Sequence, residues 1–166
     1  MYTPRDHSDK RREMTSPENL ETVELADRLA VTDVVFTVAR AMDSKDWTTL
    51  ADNYIPDSVG DYESGEVLGR DKIIAAAEGF LTSFDATQHL VGNVQVSIDG
   101  DVAVAHSTFI AQHVRDAAEG SGRFLMGGTY DDTFARVSGE WRIVRRRIRG
   151  IWGDGDASVL AAQSAL

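Results

Sequence analysis

From Leu20 to Met42 the apolar positions Leu20, Val23, Leu25, Leu29, Val31, Val34, Val35, Val38 and Met42 recur at intervals of about three and four residues, the spacing of an amphipathic helix. Ser16, with Glu18 and Asn19 after it, is placed to start that helix. A second, shorter helix is predicted over about Trp47 to Tyr54, ended by Pro56. Ser58 to Gly69, with glycines at 60, 65 and 69, reads as a loop. Ile73, Ile74, Ala77, Phe80 and Leu81 then mark a third helix over about Arg70 to Ser83. Beyond Asp85 the period shortens to two. Strands are predicted over Gln88 to Ile98, Val102 to Val114, Arg123 to Val137 and Glu140 to Trp152, divided by the turn signals Asp99-Gly100-Asp101 and Ser138-Gly139.

Helices followed by a run of long antiparallel strands read as an α+β fold. Strands of this length bury one face most simply by curving. A strongly curved, mostly antiparallel β-sheet around three N-terminal helices makes a cone with an apolar pocket inside. Residues 1–19 are polar, mixed in charge and without period, and are expected to be a mobile tail. Residues 20–153 form a single domain, and 154–166, rich in Ala and Ser, are expected to be a tail or a short helix acting as a lid on the mouth.

Composition narrows the function. The 166 residues, 42% hydrophobic and 27% charged, suit one buried core. With no cysteine there are no disulfides, thiolate metal sites or cysteine nucleophiles, which suits a reducing cytoplasm. The short, charge-interrupted apolar runs give neither a secretory signal nor a membrane span, so a soluble cytoplasmic protein is expected. A net charge of -10 and a pI near 4.7 would repel polyanions, arguing against nucleic acid or an anionic membrane as partner. The run Arg145-Arg146-Arg147-Ile148-Arg149 is a counter-signal, but strand neighbours alternate, so these arginines should split between two faces and pair with carboxylates.

Histidine alone has an ordinary pKa near working pH, so the four histidines come first. His7 lies in the tail and is given no role. His89 follows Gln88 at the start of the first long strand, and His106 and His113 occupy opposite faces of the second. His113 shares its face with Ser107, Phe109 and Ala111, and alternation does not say which face is inside. Asp43 ends the long helix, where a carboxylate meets the negative end of the helix dipole and needs an explanation. If that turn points into the cone, the carboxylate requires a partner, and a histidine on the facing sheet would supply one and gain basicity. Tyr62 and Tyr130 are hydroxyls able to polarise a carbonyl or enolate oxygen, and Asp132 shares the face of Tyr130. Two histidines and a carboxylate could hold iron or zinc, but Asp43 is better used orienting a base, and no metal is expected. There is no Gly-x-Ser-x-Gly, no His-Glu-x-x-His, no phosphate-binding loop and no dinucleotide fingerprint.

Taken together, Met42-Asp43-Ser44-Lys45-Asp46-Trp47, Asp61-Tyr62, Thr87-Gln88-His89-Leu90-Val91-Gly92, His113-Val114-Arg115, Gly139-Glu140-Trp141 and Ile151-Trp152-Gly153 resemble the scytalone dehydratases, members of the SnoaL-like, nuclear transport factor 2-like superfamily of α+β cones. The similarity runs from about Val38 to Gly153. It implies that Asp43 holds a catalytic histidine, that His113 is that histidine and His89 the second histidine of the pocket, and that Tyr62 binds a water or the substrate carbonyl. A second family tyrosine is replaced by Met42, and the family's serine and asparagine fall on Gly128 and Tyr130, so the acid-base core is kept while the substrate-orienting hydroxyls change. Phe109 and Asp132 join Met42, Tyr62 and Tyr130 as expected substrate contacts.

The implied activity is a lyase removing water from a small apolar hydroxy-carbonyl compound, polyketide-, terpenoid- or steroid-like, with no metal or organic cofactor. An isomerase or polyketide cyclase using the same pocket, or a non-catalytic binding or structural subunit, are the alternatives. The open sheet face suggests a homodimer or homotrimer.

Overall fold

The computed structural model describes residues 17–116 and 120–161. Its elements are α1 (Pro17–Ser44), α2 (Trp47–Asp52), β1 (Tyr54–Tyr62), β2 (Gly65–Leu68), α3 (Arg70–Leu81), β3 (Ala86–Asp99), β4 (Val102–Val114), β5 (Arg123–Val137), β6 (Glu140–Gly155) and α4 (Ser158–Ala161). One six-stranded sheet runs in the order β2-β1-β6-β5-β4-β3, antiparallel except where β1 lies parallel to β6. The predicted α+β cone is the fold observed.

Curvature comes from irregularities in the ladders. The β3–β4 register shifts between Gly92 and Gln95, where Asn93 adopts a φ of 52°, and β5–β6 shifts at Gly127/Gly128 and Thr133/Phe134. The inner face then closes over α1. Val31, Val35, Val38, Ala41 and Met42 meet Ala103, Ala105, Phe134 and Ile143 from the sheet and Leu50, Ile73, Ile74 and Leu81 from the short helices. Asp27 secures the helix to the sheet: it accepts two hydrogen bonds from Arg136, at 2.8 and 2.6 Å, and one from the indole of the buried Trp141 at 3.2 Å.

The structure departs from the sequence expectations in three places. Residues 58–68 are not a loop but most of the β1–β2 hairpin, turning at Glu63-Ser64 into Gly65 (φ 124°). Pro56, Asp57, Gly60, Asp61 and Gly65 lower strand propensity here, and pairing with β6 overrides it. Arg145, Arg147 and Arg149 of β6 converge on the Asp61 carboxylate of β1 at 2.6, 2.9 and 2.9 Å, and hold it well below the usual carboxylate range. Second, α1 already includes residues 17–19, and its apolar residues Val23, Leu25 and Leu29 are exposed; only from Val31 onward does the stripe reach the core. Third, the helix expected at the mouth is the single turn α4, whose Val159 is fully buried among core residues. Ser16 and His7 lie outside the described residues. Among the described residues no helix is long and apolar enough to cross a membrane.

Candidate active site

The corner after α1 sets the site. Lys45 ends the helix in the left-handed conformation (φ 57°) and donates from Nζ to the Phe84 carbonyl at 2.8 Å. Asp46 caps α2 by accepting from the Thr49 backbone N–H at 3.0 Å and its hydroxyl at 2.7 Å. This corner fixes Asp43 in the last turn of α1, against β3.

There the carboxylate is satisfied entirely by one residue. The His89 backbone N–H donates to both Asp43 oxygens, at 3.0 and 2.9 Å, and His89 Nδ1 lies 2.6 Å from Asp43 Oδ1. A carboxylate only accepts, so Nδ1 carries the hydrogen, and in the neutral ring Nε2 is then the free lone pair. These donors answer the unfavourable helix dipole at Asp43. The His89 side chain is only 6% exposed.

This corrects the expected pairing of Asp43 with His113. β4 sets His113 opposite Thr87, while His89 stands opposite Ala111. The residue that meets the helix end is His89, whose backbone N–H and ring Nδ1 both reach Asp43. His113 is buried, with Nδ1 at 3.0 Å from the Thr87 hydroxyl. Its ring stacks on Phe84 at 4.6 Å and meets Phe80 and His89 edge-on at 5.6 and 5.9 Å. Burial first, then the neighbouring His89, press its pKa down to about 4 from 6.5, against an opposing pull from Asp43. It is a neutral imidazole at ordinary pH.

Both imidazoles line a cavity of about 130 Å³ with Met42, Tyr62 and Phe109 among its other walls. The expected residues Met42, Tyr62, His89, Phe109 and His113 thus converge, with Asp43 behind His89. Tyr130 and Asp132 are not wall residues. Tyr130 stacks on Phe109 at 4.4 Å, and Asp132 is bound by Arg146 at 2.7 and 2.6 Å. Both face inward, but Phe109 and Arg146 stand between them and the cavity.

The wall also holds residues the sequence reading passed over: Tyr54, Ile73, Phe80, Met126, Ile148 and Arg146. Arg146 was visible only as one of the arginine run. It points inward, whereas Arg145, Arg147 and Arg149 lie on the outer face with Asp61. Burial opposes its charge, and the Asp132 carboxylate together with Tyr54 and Tyr130 more than offsets that, so the guanidinium stays protonated. Burial raises the hydroxyls of Tyr54 and Tyr62, keeping both as donors. Two glycines shape the wall: the Tyr62 ring folds onto Gly60, and Phe109 occupies the space a Gly128 side chain would need. His106 is on the outer face, paired with Asp131 at 2.7 Å.

A curved, mostly antiparallel sheet around a long helix is the cone-like α+β architecture of the nuclear transport factor 2-like superfamily. The chain belongs to the SnoaL-like domain family, whose profile matches residues 23–147. It is 31% identical over 129 residues to an uncharacterized protein of Mycobacterium tuberculosis, covering 76% of this chain and 87% of the relative. Its fold matches a Novosphingobium aromaticivorans protein provisionally named a scytalone dehydratase, at TM-score 0.72 and 26% identity, over 78% of this chain and 87% of that one. A hexachlorocyclohexane dehydrochlorinase from Novosphingobium barchaimii shares the fold at TM-score 0.70 and 17% identity, over 80% and 92% of the two chains.

Proposed function

We propose that this protein is a lyase that removes water from a small, largely apolar β-hydroxy carbonyl compound by proton transfer, with His89 as the base. The observation that carries this reading is the 2.6 Å contact of His89 Nδ1 with Asp43 Oδ1, on an imidazole that also lines the cavity. It is the pairing that makes a histidine basic and fixes its tautomer.

His89 Nε2 takes the proton next to the substrate carbonyl. The electron pair of that C–H bond becomes the carbon–carbon double bond of an enolate. The Tyr62 hydroxyl and His113 donate to the enolate oxygen. For His113 to donate, the Thr87 hydroxyl 3.0 Å from Nδ1 acts as donor to that nitrogen, which leaves the hydrogen of the neutral ring on Nε2. The enolate then expels the β-hydroxyl, which takes the proton back from His89 and leaves as water. Proton count and charge return to their starting values. Two proteins of similar fold are named for eliminations, one of water and one of hydrogen chloride, which accords with this chemistry.

The test is turnover of 3-hydroxycyclohexanone to cyclohexenone, followed by ultraviolet absorbance. His89→Ala should lower kcat by about 10²- to 10⁴-fold, the usual contribution of a positioned base. Full activity in that variant would sink the proposal.

A further inference from the structure

Outside the inner chamber, against the tip of the β1–β2 hairpin, lies an open surface recess of about 310 Å³ lined by Tyr62, Glu63, Ser64, Met126, Ile148 and Gly150. Tyr62, Met126 and Ile148 also wall the inner cavity, so these three side chains form the partition between the two spaces. The inner chamber is small. At about 130 Å³ it is near the ~150 Å³ that accommodates a single benzene ring, and too small for fused rings.

We propose that the outer space is the second compartment of one binding site, and that the substrate is a single-ring compound whose chain passes the Tyr62, Met126 and Ile148 neck. This rests on the proposed dehydration for what happens to the ring, and it replaces the polyketide- or steroid-sized substrate with a one-ring head and an extended tail. Chemistry along the path is graded. The neck is apolar, and methionine there is flexible enough to yield to a chain. Beyond it the wall becomes polar at Ser64 and Glu63, the latter held by the Gly150 N–H at 3.0 Å. A tail with several methylenes and a terminal hydroxyl or ammonium group fits that order. Gly150 keeps the compartment open: a Cβ there would have nothing nearer than Glu63 Oε1 at 3.5 Å and Met126 Cε at 3.9 Å. A larger side chain at 150 therefore enters the outer space without a backbone clash.

The experiment measures binding, so it does not depend on turnover. A series of 5-n-alkylcyclohex-2-enones, from methyl to hexyl, is titrated calorimetrically into the wild-type protein and Gly150→Leu. Affinity should rise about fourfold per added methylene in the wild type, in line with burial of each CH₂. In Gly150→Leu the ratio of hexyl to methyl affinity should fall to near one. Affinity independent of chain length in the wild type, a chain-length dependence that survives Gly150→Leu, or no binding by any member would each overturn the proposal. If chain-dependent binding is found but the 3-hydroxyketones are not dehydrated, the compartment stands and the lyase reading falls.

Discussion

Acidifying the protein from pH 7 to about 4.5 should remove stability through one residue, His113. In the folded state burial and His89 hold its pKa at about 4, whereas an unfolded chain titrates it at 6.5. Between those values the unfolded chain binds a proton that the folded chain does not. The free energy of unfolding therefore falls as pH drops below 6.5 and levels off below 4, and the whole gap amounts to about 3 kcal/mol. Groups around the ring shape this value: Thr87 at Nδ1, Phe84 stacked on its face, Phe80 and His89 edge-on and Asp43 beyond. The assay is urea unfolding across that pH range for the wild type and His113→Gln. Asp27 and Asp61, whose carboxyls are held low by arginines, are present in both proteins and cancel in the difference. The wild type should lose about 2 kcal/mol more than the variant between pH 7 and 4.5. Parallel pH dependences would show that His113 titrates normally, and its role as a neutral donor would fail.

Two further outcomes follow from packing. Arg146→Met leaves the Asp132 carboxylate buried without its partner and should cost about 3–5 kcal/mol in denaturant unfolding, with the double variant Asp132→Leu/Arg146→Met recovering most of it. Gly128→Ser places a Cβ 2.2 Å from the Arg149 carbonyl oxygen and 2.7 Å from the Phe109 ring; it should lower stability by about 3 kcal/mol in the same assay, and Phe109→Ala should not relieve the clash with the backbone.

Much of this architecture could be read from residue periods. The change from helical spacing to alternation after Asp85 located α3 and β3 to β6 within a few residues, because long elements with one buried face repeat their signal many times. The β1–β2 hairpin was lost because its residues favour turns and its strand state depends on β6, distant in sequence. Alternation correctly split the arginine run, but it could not show that Arg146 faces the chamber while its neighbours bind Asp61. The candidate residue types were legible and their pairing was not: a carboxylate ending a helix demands a donor, yet only the docking of α1 on β3 decides that His89 supplies it. Tyr130 and Asp132 show the same limit from the other side. They share the inward face, but Phe109 and Arg146 fill the space between them and the cavity. Val23, Leu25 and Leu29 continue the helical stripe past the point where the cone ends, and nothing in the local pattern marks that point.

The most direct measurement is the ¹⁵N NMR tautomer of neutral His89. With Asp43 accepting from Nδ1, the hydrogen should reside on Nδ1 and leave Nε2 bare toward the cavity, and Asp43→Asn should abolish that preference. A hydrogen found on Nε2, or an unchanged tautomer in Asp43→Asn, would contradict the assignment of His89 as the base.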